Sequence, residues 1–192
     1  PANNSGKDTE GSYAYMFTEY PFIKPWADSL KQTGALRDTF ILRNGIRLHA
    51  LYAEAPQPTR RTALIIHGYT DSAVRIGYLY HHDLEFNILL PDLYGGGESE
   101  GEHIRMGWLD RHDVRRWAEV AHTMFGDSTQ IVVHGISMGA ATAMMMAGDA
   151  QPDYVRCFVE DCGYTSVWDE FAKELRAQYG LPEMPLLYTT SM

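Results

Sequence analysis

One stretch limits what this chain can fold into more than any other: Gln130-Ile131-Val132-Val133-His134-Gly135-Ile136-Ser137-Met138-Gly139-Ala140-Ala141. A short apolar run rich in β-branched residues ends in Gly-Ile-Ser-Met-Gly, and a helical pattern of small residues follows. The pattern predicts a strand, a sharp turn and a helix, with Ser137 at the apex. At such a turn the serine hydroxyl is held clear of the sheet, where a base can reach it. Gly135 and Gly139 are expected because side chains there would strike the adjoining elements. The competing reading is a structural serine in a tight turn, which has no need of a strand before it and a helix after it.

The rest of the chain supplies a matching frame. Alternation at Thr39-Phe40-Ile41-Leu42, the turn dipeptide Asn44-Gly45 and a second run, Ile46 to Ala53, predict an antiparallel hairpin, with a connecting loop at Pro56 to Thr59. Continuous apolar runs then recur at Ala63–Ile66, Ile88–Leu90, Ile131–Val133 and Cys157–Val159, each closed by polar and glycine residues. Runs apolar on both faces are the mark of a parallel sheet covered by helices. The helices are predicted between them. One spans Trp108 to Phe125, with Val114, Trp117, Ala121 and Met124 on one face. A second, Met138 to Ala147, is buried on most sides. A third, Val167 to Gln178, carries Trp168, Phe171, Ala172 and Leu175. The fold class is therefore α/β, a mostly parallel doubly wound sheet with antiparallel first strands. Right-handed crossovers bring the strand-end loops to one edge, where ligands bind in such sheets. Residues 1–38 read as a polar, flexible start followed by an aromatic-rich arm (Tyr13 to Lys31) that packs onto the core. Residues 39–180 read as the core, and 181–192 as the start of a lid.

Composition narrows the partners. A net charge of −9 over 192 residues argues against nucleic acid or an anionic membrane surface, and no apolar run reaches the length of a membrane span. Cys157 and Cys162 fall on opposite faces of an extended chain, so no mutual disulfide is expected, and they lack zinc-ligand spacing. They read as buried thiols. Neither a cofactor nor a metal is called for by any motif, and nothing in the sequence fixes an oligomeric state.

A serine nucleophile needs an oxyanion stabiliser. Met138, the residue after Ser137 and the first of the predicted helix, offers one backbone N–H. The loop after the first parallel strand, His67-Gly68-Tyr69-Thr70, offers a second through Tyr69, with Gly68 allowing close backbone approach. Together, His67-Gly68-Tyr69, Asp92-Leu93-Tyr94-Gly95-Gly96-Gly97-Glu98-Ser99-Glu100-Gly101, Gly135-Ile136-Ser137-Met138-Gly139 and Glu160-Asp161-Cys162-Gly163-Tyr164-Thr165-Ser166 resemble the α/β-hydrolase superfamily. More narrowly they resemble a bacterial branch related to acylaminoacyl and dipeptidyl peptidases. Many relatives carry Arg and His where this chain has Tyr94 and Gly96.

The resemblance implies a serine hydrolase acting by acyl transfer on an ester or, second, a short peptide or acyl-amide. It also implies a triad in the order Ser, acid, His. All eight histidines here precede Ser137, so the acid and histidine are expected beyond Met192, on a piece of a longer protein. The alternative is a non-catalytic binding or scaffold protein with the same fold. Among residues present, Asp161 is the one plausible acid, although a carboxylate capping the following turn is the plainer reading. His134 reads as a core histidine, His67 as a loop-orienting one, and His81-His82-Asp83 as helix surface rather than a metal site. Glu98 and Glu100 read as solvated charges. The missing initiator Met and the resemblance to exported or anchored proteins favour a place outside the cytoplasm, with the cytoplasm as alternative.

Overall fold

The computed structural model describes residues 9–69 and 73–182. Two helices, α1 (Thr9–Glu19) and α2 (Ile23–Gln32), precede the sheet. The aromatic arm is thus helical and begins at Thr9, inside the stretch expected to be a flexible start. The sheet follows as β1 (Arg37–Arg43), β2 (Ile46–Ala53), β3 (Arg61–Ile66), β4 (Asn87–Pro91), β5 (Gln130–Ile136) and β6 (Val155–Asp161). Helices α3 (Val74–Tyr78), α4 (Asp110–Phe125), α5 (Met138–Ala147) and α6 (Val167–Tyr179) fill the connections, and a turn of π-helix at Leu79–Asp83 extends α3.

The strand order is β1-β2-β4-β3-β5-β6. β2 is antiparallel to both β1 and β4, whereas β3, β4, β5 and β6 run parallel. Asn44 and Gly45 both take positive φ, 52° and 78°, as a two-residue hairpin matched to the strand twist demands. From β3 the chain crosses to β4 on one side and to β5 on the other. The order therefore reverses at β3, and the crevice beyond the carboxyl ends of β3 and β5 is where an open α/β sheet binds ligands.

Period-two alternation sorts the strand residues into two cores. Leu64 and Ile66 of β3, with Ile131 and Val133 of β5, pack under Val114, Trp117 and Ala121 of α4 and Met146 of α5. Ala63 and Ile65, with Val132 and Ile136, pack under Ile23 and Leu30 of α2 and Val74 and Ile76 of α3. Met124, expected on the buried face of α4, is only half-buried. The arm is fastened by its aromatics. Trp26 Nε1 donates to Nδ1 of His81 at 3.1 Å and its ring meets Tyr78 edge-on at 5.5 Å. His81 is accordingly buried, contrary to the helix-surface reading, while His82 is exposed and pairs with Asp83 at 2.7 Å. Burial pulls the His81 imidazole below its ordinary pKa.

The outermost strand departs from expectation. Among the described residues β6 pairs with β5 alone and buries no residue, and Cys157 on it and Cys162 just after it are exposed rather than buried. An apolar run in sequence does not reveal whether a neighbour covers it. On α6 only Ala172 is fully buried and Phe171 is exposed. Residues 70–72 and 183–192, including Thr70 and most of the expected lid, lie outside the described residues.

Candidate active site

Ser137 occupies the turn between β5 and α5 with φ 52° and ψ −113°, a backbone state that non-glycine residues adopt only under constraint. Three contacts impose it. The Ser137 N–H donates to the Asp161 carbonyl at the end of β6, at 2.8 Å. A Cβ on Gly135 would lie 2.1 Å from the Gly139 carbonyl oxygen, so strand and helix touch backbone to backbone. A Cβ on Gly139 would lie 2.2 Å from the Ile66 carbonyl oxygen and 2.6 Å from that of His67. Both glycines are therefore required, for the reason the motif predicts. The third contact also sets the start of α5 against the end of β3, beside His67, Gly68 and Tyr69.

Met138 is buried and opens α5, so its N–H is among those that the first helical turn leaves without an internal acceptor. Tyr69 follows the buried Gly68 and exposes its side chain. His67 begins the same loop. Its Nε2 accepts the Leu93 N–H at 2.9 Å, and its Nδ1 lies 2.6 Å from the Gly68 carbonyl oxygen. Leu93 can only donate, so Nε2 carries the lone pair and Nδ1 the proton given to Gly68. The imidazole thus holds the loop after β3 to the loop after β4. Gly96 packs closely beside it, and a Cβ there would lie 3.3 Å from the ring. At the other departure from the family pattern, the buried Tyr94 ring is covered by the Arg105 guanidinium at 3.4 Å.

The remaining candidates fall as follows. His134 is buried in the second core with Nδ1 3.2 Å from the Tyr80 hydroxyl, and burial lowers its pKa, so it is a core histidine. Asp161 does not cap the turn after β6. That role is Glu160's, whose Oε1 accepts the Gly163 N–H. The Asp161 carboxylate instead faces Arg75 of α3 at 3.8 Å, and Arg75 in turn lies over the Tyr20 ring at 5.5 Å. Arg75 escaped the sequence reading because nothing local links α3 to β6. Tyr164, quoted above only as part of the loop after β6, has a contact the sequence did not show. Its hydroxyl donates to the Met106 carbonyl at 3.1 Å, and burial pushes its pKa up to about 12. Glu100 is exposed, yet its carboxylate accepts the Arg47 N–H at 2.8 Å.

A family model for the alpha/beta hydrolase fold matches residues 49–180. The chain belongs to that family. The Bacillus subtilis (strain 168) protein YqkD, described as uncharacterized, is 32% identical over 139 residues, which are 71% of this chain and 45% of that protein. The chain therefore spans about half the length of the relative it matches. Among solved structures, the Pyrococcus furiosus esterase Pf2001 superposes with a TM-score of 0.67 at 22% identity, covering 80% of this chain and 60% of that one. A thermophilic esterase gives 0.52 at 18% identity, covering 74% and 52%. At such identities the likeness concerns the hydrolase fold. The narrower peptidase-related branch finds no further support in these matches.

Proposed function

We propose that this chain supplies the nucleophile and oxyanion hole of a serine hydrolase acting by acyl transfer. The observation that carries the reading is the Ser137 backbone, held at positive φ by contacts from β3, α5 and β6. In this mechanism Ser137 Oγ attacks the substrate carbonyl carbon and loses its proton to a histidine. The Met138 and Tyr69 N–H groups take the developing oxyanion, the tetrahedral adduct collapses as the alcohol leaves with that proton, and water then hydrolyses the acyl-enzyme to the free acid and Ser137. His67, His81 and His134 are committed to other bonds, so the proposal draws its base and acid from outside these residues. A small carboxylic ester is the substrate class we assign, with a short peptide or acyl-amide second. An alkoxide leaves with less help from a general acid than an amine does. The esterases of like fold are consistent with that order.

The test is covalent labelling. The gene product from its native source is treated with a fluorophosphonate probe, and the adduct is mapped by peptide mass spectrometry. Modification at Ser137, lost in Ser137→Ala together with p-nitrophenyl ester hydrolysis, is expected. An unlabelled Ser137 in the folded native protein would overturn the reading in favour of a non-catalytic binding protein.

A further inference from the structure

Beside the loop after β4 lies a buried histidine with both ring nitrogens engaged. His49 of β2 is 3% exposed. Its Nδ1 is 2.7 Å from Asp92 Oδ2 and its Nε2 is 2.9 Å from Asp38 Oδ1. An ionised carboxylate only accepts, so both nitrogens donate and His49 is an imidazolium. Burial opposes that charge, but the bonds to Asp92 and Asp38 outweigh it and hold the His49 pKa above its ordinary value. We propose, on the reading of Tyr69 N–H as an oxyanion donor, that His49 acts through Asp92 as a positioning residue for the Tyr69 loop.

The link is a continuous run of hydrogen bonds. The Asp92 N–H donates to the His49 carbonyl at 2.9 Å. The Asp92 carbonyl accepts the hydroxyl of the buried Ser99 at 2.7 Å, and Ser99 Oγ accepts the His49 N–H at 2.9 Å. Asp92 Oδ2 also accepts the Glu98 N–H at 2.9 Å. Gly97, at φ 47°, presses so close to that carboxylate that a Cβ would lie 2.2 Å from Cγ. The loop is thus moulded on Asp92. Leu93, the next residue, supplies the N–H that His67 Nε2 accepts at 2.9 Å, and His67 gives its Nδ1 proton to the Gly68 carbonyl, one residue before Tyr69. Without the Nδ1 proton of His49, the Asp92 carboxylate, with 25% of its side chain exposed, would keep the Glu98 N–H and lose its partner of opposite charge. A carboxylate so deprived turns toward water, and the loop moulded on it follows. Oxyanion donors act through fixed geometry, so a drifting loop costs rate. The two arms of the imidazolium therefore serve different ends. Nδ1 steadies the loop after β4, and Nε2 ties β2 to the exposed Asp38 of β1.

Amide side chains separate the two arms. Asn places its Nδ2 where His49 has Nδ1 and keeps a donor for Asp92, whereas Gln places its Nε2 where His49 has Nε2 and serves Asp38 alone. Both remove the buried cation, so a merely structural role is disturbed alike by either. His67 reports the outcome without any catalysis. In the gene product carrying ring-¹⁵N histidine, wild-type His67 is expected as the Nδ1–H tautomer, fixed by the Leu93 N–H at Nε2. His49→Asn and Asp38→Asn are expected to keep that tautomer, and His49→Gln to lose it. Fluorophosphonate labelling at Ser137 should slow in His49→Gln by up to about 100-fold, the lower range for losing an oxyanion donor, and should largely recover in His49→Asn. A His67 signal unchanged in folded His49→Gln, or lost equally in His49→Asn, overturns the proposal. Should His49→Gln not fold, loss of the tautomer in His49→Asn or Asp38→Asn overturns it instead. A wild-type protein that shows the tautomer and never labels sinks the nucleophile reading of Ser137, not the tie from His49 to His67.

Discussion

β5 and β6 are neighbours, parallel and equal in length, yet they live in different surroundings, and β6 carries Arg156, Glu160 and Asp161 where β5 has no Lys, Arg, Asp or Glu. Every residue of β5 after Gln130 is buried, while no residue of β6 is. β5 is enclosed by β3, by α4 and α5 on one face and by the α2–α3 layer on the other. β6 receives β5 along one side. Sequence periodicity reports what a strand could bury, and only the neighbours decide what it does bury. The turn at Ser137 belongs to the enclosed strand but depends on the open one, through the Asp161 carbonyl.

The largest effect is expected where the enclosed strand meets its helix. Gly139→Val places side-chain carbon in the space held by the Ile66 and His67 carbonyls and should cost about 3 kcal/mol or more, the upper range of overpacking. Urea unfolding would measure it, and a loss under 1 kcal/mol would show that the turn is looser than described. Next in size is a direct contrast of the two strands. Ile131→Ala, fully buried, should cost about 2–5 kcal/mol, and Val159→Ala, 36% exposed on β6, should stay within about 0.5 kcal/mol. Equal losses would break the comparison.

His67→Ala removes the acceptor of Leu93 N–H and the donor to Gly68. It should cost about 1–3 kcal/mol, and it should slow probe labelling at Ser137 while leaving Ser137 in place. A smaller effect concerns acid. Burial first, for both His81 and His134, holds the imidazole pKa below its unfolded value. Each contributes stability that is present above the unfolded pKa, about 6.5, and is lost as pH falls from there through the lowered folded value. Their contribution to the urea midpoint should therefore decline between pH 6.5 and 5, against the opposite trend of His49, whose pKa is raised because hydrogen bonds to Asp92 and Asp38 outweigh its burial. That decline should be shallower in His134→Gln, and an unchanged slope would remove His134 from the account. The smallest perturbation is chemical: both Cys157 and Cys162 should react with a thiol reagent in the folded chain, since both are exposed.

Much of this was legible without coordinates. The four apolar runs, the Asn44-Gly45 hairpin and the Gly-x-Ser-x-Gly turn each announce themselves locally, because strand, turn and elbow chemistry act over a few residues. The loop proposed for the oxyanion was chosen by topology, since right-handed crossovers bring the ends of β3 and β5 to the same edge. What stayed hidden is non-local. Nothing near Arg75 says that it faces Asp161, and nothing near His49 says that Asp92 lies behind it. The cysteines were misread because the openness of β6 is a property of the sheet order, not of the Val155–Asp161 segment. Glu160 rather than Asp161 caps the next turn because strand alternation sends the two carboxylates in different directions.

The conformation of Ser137 has a consequence in time. No contact that enforces its positive φ lies wholly within the Gly-x-Ser-x-Gly segment except the one between Gly135 and Gly139. The others come from Ile66 and His67 far earlier in the chain and from Asp161 after it. A nascent segment ending at Ala147 has two of these restraints and lacks the third. The full set of restraints on Ser137 is therefore present only with β6 docked beside β5.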